Sequence, residues 1–399
     1  MYKNVNSYMS QLFLIFVVLF TLGFSHLLQA PIAPVQGLTS WPTSSPEAQG
    51  MDSRVLATLE QHIQSTYPAM YSMVIVRNGF LVAEEYFQYS ASTKRNIYSC
   101  TKSFIGTLIG IAIQEGYIRG INESVVDFFP NYTFSNLDAS KQNMTLFHLL
   151  TMTTGLDWDE ADYNDPQNPL YRMWDSSNWV QFVLDLPMVV APGTTFSYNS
   201  GASHVMSAIL CSSTEMSTLE YAQSHLFTPL GIDDYNWPTD PQGIHKGGEG
   251  LELTPRSLAK LGQLYLDNGS WEGEQLVSEQ WIFDTTHSTL TPPSNGYYGY
   301  GYQWWLHPDG IFSAWGYAHQ RVLVIPDYQV VATFTGYMPN ILGDPAAALV
   351  SDFVLPAIFT HEDYQEPTTP TSTSFFVFIL PSLLFLVLFQ KKFIHDRWS

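Results

Sequence analysis

The chain has 399 residues, with 36 Asp or Glu against 16 Lys or Arg and a formal charge of −20 at neutral pH. That balance leaves no basic surface for a phosphate backbone, so nucleic acid is excluded as a partner. With 45% hydrophobic residues and only two cysteines, Cys100 and Cys211, stability has to come from a large apolar core and not from a disulfide framework.

In chain order, Lys3 and the apolar run from Leu12 to Phe24, followed by Gln29 and Ala30, predict an export signal over residues 1–30. Residues 31–44 are rich in Pro and Ser and read as a linker into a domain spanning 45–360. Val55, Leu56, Leu59 and Ile63 predict a helix over 51–67. Two strands, Tyr71 to Val76 and Phe80 to Tyr86, flank Asn78-Gly79, a hairpin-turn pair. Residues 99–290 read mainly as helix and loop, with helices at 101–114, 201–212, 219–227 and 257–266. Strands are expected again at 301–306, 321–325 and 329–334, then a closing helix over 343–359. Both ends of the domain thus supply strands and the middle supplies helices, an α+β arrangement with a cleft between layers. Residues 361–374 form a Pro/Thr/Ser linker. The apolar stretch 375–390 and the basic tail 391–399 predict a transmembrane anchor or a sorting helix, contacting the membrane and holding the domain at the cell surface or releasing it. Asn122, Asn131, Asn143 and Asn268 each open an Asn-x-Ser/Thr site, compatible with export.

Three short segments carry the chemistry. Ser99-x-x-Lys102 opens an apolar helix, which puts Lys102 one turn from Ser99 on the same face. A lysine buried there loses hydration and is pushed toward its neutral form, able to take the seryl proton. Tyr198-Asn199-Ser200 follows the Pro192-Gly193 turn; the tyrosine, set against Lys102, can be held as a phenolate or relay a proton, and Ser200 can bond Lys102 or the substrate. Trp315-Gly316-Tyr317-Ala318-His319-Gln320 is the third. Taken singly, each has a plain structural explanation: a helix-capping serine, a packed tyrosine, a surface histidine. Cys100 reads as a buried free thiol, with a bridge to Cys211 as the alternative. Asp157, Asp159 and Glu160 read as solvated or loop-capping, and His148 as helix packing. Trp158, Trp174, Trp304, Trp305 and Trp315 are candidates for a cleft wall or for the core. No His, Cys or Asp cluster has metal-ligand spacing and no Gly-rich phosphate loop follows a strand, so no metal and no cofactor is expected.

The ordered set resembles the serine beta-lactamase-like family: cephalosporinase-type lactamases, penicillin-binding-protein-like esterases and peptidases, and amide hydrolases acting on aminohexanoate oligomers. Ser99, Lys102, Ser103 and Phe104 match the nucleophile segment. Leu149 to Leu156 match Leu-Leu-Thr-x-Thr-Ser-Gly-Leu, Pro192 to Ser200 match the tyrosine segment, and Gly248 to Ala259 add a further likeness. The resemblance covers about residues 45–358. It implies a beta-lactamase/penicillin-binding-protein-like fold, an antiparallel sheet flanked by helices with a mostly helical insert. It also implies Ser99 as nucleophile, Lys102 as base and Tyr198 in proton transfer. The backbone N–H groups of Ser99 and Ala318 would form the oxyanion hole, and Ser200, Gly316 and Tyr317 would contact substrate. The lactamase lysine that binds a substrate carboxylate is replaced by Gly316; Arg172 or Arg256 is the possible substitute. The expected activity is therefore hydrolysis of an ester, amide or small peptide through a seryl ester. A beta-lactamase or D-amino-acid peptidase is the second reading, and a non-catalytic cell-envelope binding protein on the same scaffold the third.

Overall fold

The computed structural model describes residues 41–287, 299–341 and 343–362. The expected signal at 1–30, most of the 31–44 linker, nearly all of the 361–374 linker, the 375–390 anchor and the basic tail lie outside them. Among the described residues no helix is long and apolar enough to cross a membrane.

In chain order the elements that build the site are α1 (Ser53–Thr66), β1 (Met70–Arg77), β2 (Phe80–Tyr86), β3 (Arg95–Asn96), α2 (Cys100–Gln114), α3 (Leu146–Leu150), α4 (Trp179–Asp185) and α5 (Ser200–Thr214). Then follow β4 (Tyr235–Asn236), β5 (Glu252–Leu253), α6 (Pro255–Leu266), β6 (Ser270–Trp271), β7 (Glu274–Gln275) and α7 (Glu279–His287). The C-terminal part contributes β8 (Gly299–Tyr300), β9 (Trp305–Leu306), β10 (Phe312–Gly316), β11 (Gln320–Ile325), β12 (Val330–Gly336) and a helical stretch over 345–362.

One seven-stranded sheet, ordered β2-β1-β12-β11-β10-β9-β8, joins the two chain ends, with every neighbouring pair antiparallel. Asn78 and Gly79 take φ of 51° and 78°, the left-handed pair that turns Arg77 back onto Phe80. Val322, Val324 and Val331 pack into a core with Phe104 and Leu108 of α2 and Leu261 and Leu264 of α6. Their neighbours Leu323, Ile325 and Val330 pack into a second core with Leu56, Leu59 and Ile63 of α1 and with Leu349, Val354 and Ile358. Strands covered on both faces read as continuous apolar runs, which is why β11 and β12 show no alternation. Each fully buried Leu, Ile or Val contributes about 1.5–3 kcal/mol through the area it removes from water. Helices α2 to α5 lie between the strand groups in sequence, so the fold is α+β with a mostly helical insert.

Several local expectations change. Residues 41–44 belong against the sheet: Trp41 is buried and donates to Gly79 O at 3.0 Å, and Thr43 bridges Leu81. The strand expected at 301–306 is confined to Trp305–Leu306, because Gly301 N–H turns back to Trp304 O at 2.9 Å and Gln303 has φ of 67°. Strand β10 was not expected: Phe-Ser-Ala-Trp-Gly has no β-branched residue, and its pairing with β11 makes it a strand. The 219–227 helix divides into Thr218–Ala222 and a π-turn at Gln223–Phe227, and a second π-turn at Val350–Val354 interrupts the closing helix.

Candidate active site

Ser99 is the N-cap of α2, but its hydroxyl makes no capping bond; Lys102 Nζ donates to it at 3.0 Å. The capping explanation for this serine therefore fails. Before it, Tyr98 has φ of 48°, held by its N–H donating to Asn96 Oδ1 at 2.7 Å. Lys102 is 1% exposed and donates also to Ser200 Oγ at 2.9 Å and to Gly248 O at 2.6 Å. Burial pulls its pKa down to about 8, against the pull of the Glu160 and Glu249 charges. The amine is thus held by three oxygens, one of them the Ser99 hydroxyl, and is poised to exchange a proton near neutral pH.

Tyr198 closes the other side. Lys102 Nζ sits 4.8 Å from its ring centre, and Trp305 stacks on it at 5.8 Å. Burial, then the Tyr300 and Tyr163 phenols and Glu160, hold its pKa well above 10, with the bond to Ser99 pulling the other way. These surroundings favour the neutral phenol over the phenolate.

Ser200 begins α5 and is 3% exposed. Its Oγ accepts from Lys102 and donates to Glu160 Oε1 at 2.7 Å. Glu160 corrects the solvated reading given to it: it is 2% exposed. Its Oε2 accepts from Ser200 N–H and Trp158 Nε1–H, each at 2.8 Å, and Tyr163 OH donates to Oε1 at 3.2 Å. Asp157 and Asp159 are exposed as expected. Only the clustering of Trp158 and Glu160 beside the Thr-Gly-Leu segment could have pointed to Glu160, and a lone acidic residue in a polar loop gives no such signal.

The third segment ends β10 against the backbone just before Ser99. A Cβ at Gly316 would lie 2.3 Å from Ile97 O, so this position takes no side chain and a lysine there is excluded by packing. Tyr317 is exposed and faces Tyr98 at 5.6 Å and Tyr163 at 6.1 Å, forming an aromatic rim. Ala318 is buried in a turn with φ of 57°. Neither arginine suggested in place of the lysine is committed to the cleft: Arg256 pairs with Glu84, and Arg172 lies over Phe182. Behind β10, Arg321 is buried, stacks 3.8 Å from the Trp315 ring centre and pairs with Asp344. Trp315 in turn meets Trp305 at 5.7 Å.

The remaining candidates separate cleanly. Trp304 is core, packed on Tyr265, and Trp174 lies beside Lys246, whereas Trp305 and Trp315 line the Tyr198 side. His319 bonds Ile341 O at 3.1 Å, and His148 accepts from Thr145 N–H at 2.9 Å at the start of α3. Both cysteines are free; Cys100 is fully buried, which pushes its thiol up to about 12. Among the described residues no group of three or more His, Cys, Asp or Glu is placed to hold a metal.

An antiparallel sheet flanked by helices, with a mostly helical insert, is the fold of the hydrolases related to beta-lactamases. Residues 54–347 match the Beta-lactamase family, and the chain belongs to it. Among curated proteins it is 26% identical over 241 residues to the 6-aminohexanoate-dimer hydrolase of Paenarthrobacter ureafaciens, covering 57% of this chain and 59% of that protein. It is also 25% identical over 181 residues to protein flp of Staphylococcus aureus, of which it covers 35%. The chain thus spans less than two thirds of these relatives. A Bacillus anthracis structure, solved under the provisional description 6-aminohexanoate-dimer hydrolase, superposes with a TM-score of 0.69 at 20% identity, covering 84% of this chain and 90% of that one. A penicillin-binding protein homologue from Caulobacter crescentus gives 0.61 at 13%, covering 80% and 99%. At these identities the structural likeness speaks for the fold.

Proposed function

We propose that this protein hydrolyses a small ester, amide or short peptide through a seryl ester on Ser99. The observation that carries the reading is the bond from a buried Lys102 amine, its basicity lowered by that burial, to the Ser99 hydroxyl at the start of α2. Neutral Lys102 takes the Ser99 proton as Oγ bonds to the substrate carbonyl carbon. The developing oxyanion lies at the N–H groups of Ser99 and Ala318. Tyr198 delivers a proton to the departing oxygen or nitrogen, the carbon–leaving-group bond breaks, and water then releases the acid and restores Ser99. Tyr317, Tyr98 and Tyr163 offer an aromatic rim to the acyl or leaving group. The 6-aminohexanoate-dimer hydrolase relative supports an amide-bearing substrate within this class. Lactam hydrolysis is disfavoured because Gly316 has no room for a carboxylate-binding lysine. Outward export with surface anchoring remains part of the proposal and rests on the apolar chain ends alone.

The test is covalent labelling with a serine-reactive fluorophosphonate, read by intact mass. The expected result is one adduct on the wild type, mapped to Ser99, and none on Ser99→Ala. A stoichiometric adduct on Ser99→Ala removes Ser99 as nucleophile.

A further inference from the structure

We infer that Glu160 is a positioning residue of this site: it fixes which way the Ser200 hydroxyl hydrogen points, and so leaves Lys102 an acceptor that admits the cation its charge favours. The inference rests on the reading of Lys102 as the base. Glu160 Oε2 is committed to two N–H donors, Ser200 N and Trp158 Nε1, so Oε1 is left to accept hydroxyl hydrogens. A carboxylate cannot donate, so the Ser200 hydrogen must point at Glu160. The Ser200 oxygen then turns its lone pairs to Lys102 Nζ at 2.9 Å, where only a donor fits. An ammonium supplies hydrogens to Ser99, Ser200 and Gly248 together; a neutral amine has one fewer. A neutral amine gives its two hydrogens to Ser200 and Gly248 and turns its lone pair to the Ser99 hydroxyl, so with Glu160 ionised the pattern admits both forms, and the Glu160 charge at the end of the chain favours the ammonium against the effect of burial.

Other groups face the amine as well. From α2 come Ser99 and the Cys100 thiol, from the segment before α5 the Tyr198 ring, and from the 246–250 loop Gly248 O and Glu249. Glu249 is engaged by Lys246 at 3.1 Å, while among the described residues Glu160 is the carboxylate linked to Lys102 through a bridging hydroxyl. Glu160→Gln is a selective perturbation. The amide oxygen takes the two N–H donors, and the NH2 group faces Ser200 Oγ. The hydroxyl hydrogen must then swing to Lys102, where it fits only the neutral amine. Lost charge and reversed hydrogen bond act in the same direction.

The experiment follows the rate of fluorophosphonate labelling of Ser99 from pH 5 to 10 in the full-length protein. In Glu160→Gln the acidic limb is expected to move to lower pH by about one unit or more, since a nearby opposite charge shifts a pKa by roughly 1–3 units. Ser200→Ala should move it the same way, Ser200→Thr should leave it in place, and Glu160→Gln added to Ser200→Ala should add less than half of its single effect. A limb that stays at the wild-type pH in Glu160→Gln, with only a lower plateau, shows a merely structural carboxylate and overturns the inference. If Glu160→Gln does not fold, an unmoved limb in Ser200→Ala overturns it equally. Failure of the wild type to label at Ser99 is a different result: it removes the seryl-ester reading itself, and this inference with it.

Discussion

Adding a single methyl group at Gly316 puts the reasoning at most risk. In Gly316→Ala the new Cβ would stand 2.3 Å from Ile97 O and 3.0 Å from Gln320 Cβ. An ordinary carbon–oxygen contact is about 3.3 Å, so about 1 Å of movement is required. The oxygen in the way accepts the Cys100 N–H at 3.1 Å, the bond that starts the turn carrying Ser99. On the other side, β10 is fixed by its register with β11, Gly316 opposite Gln320. Either the nucleophile turn or the strand end has to yield. Overpacking of this kind costs about 1–3 kcal/mol, which lowers the unfolding midpoint by about 2 °C or less per kcal/mol, since the shift shrinks with size and this domain exceeds 250 residues. Displacing a reacting group by about 1 Å costs on the order of 10²-fold in rate. Thermal unfolding and the second-order rate of phosphonate labelling measure the two effects. A Gly316→Ala protein with an unchanged midpoint and labelling within twofold of wild type would refute the packing argument. Gly316→Lys, the substitution that restores the lactamase residue by sequence, should lose labelling too and gain no nitrocefin hydrolysis.

Because only neutral Lys102 accepts a proton and its pKa is pulled down to about 8, the acylation rate should rise about tenfold per pH unit below that value and level off above roughly pH 9; a flat profile between pH 6 and 9 would contradict a lysine base. Tyr198→Phe should slow hydrolysis of an alkyl amide by roughly 10²–10⁴-fold, yet affect a nitrophenyl ester far less, since that leaving group needs no proton; equal losses on both would deny Tyr198 the proton-transfer role. Arg321→Met leaves Asp344 beside an apolar side chain and should cost about 3–5 kcal/mol in urea unfolding. Less than 1 kcal/mol would show that the pair does not hold β10 in place.

How much of this was legible before folding follows from how local each signal is. The Asn78-Gly79 hairpin, the helix of α1 and the one-turn spacing of Ser99 and Lys102 depend on neighbours a few residues apart, and each was readable from sequence periodicity and turn chemistry. The likeness to the lactamase family added the order of the three segments and the roles expected of their residues. Sequence could not supply β10, whose residues have weak strand preference and are held only by pairing with β11. Nor could it supply Glu160, since an acidic residue in a polar loop looks solvated until Trp158, Ser200 and Tyr163 are seen to donate to it. At Gly316 the sequence showed only that a lysine is missing. The tertiary structure gives the reason, a backbone carbonyl from a segment more than 200 residues earlier occupying the space a side chain would need. Local spacing put Ser99 and Lys102 one turn apart; long-range packing decided the burial of the amine and the room around it.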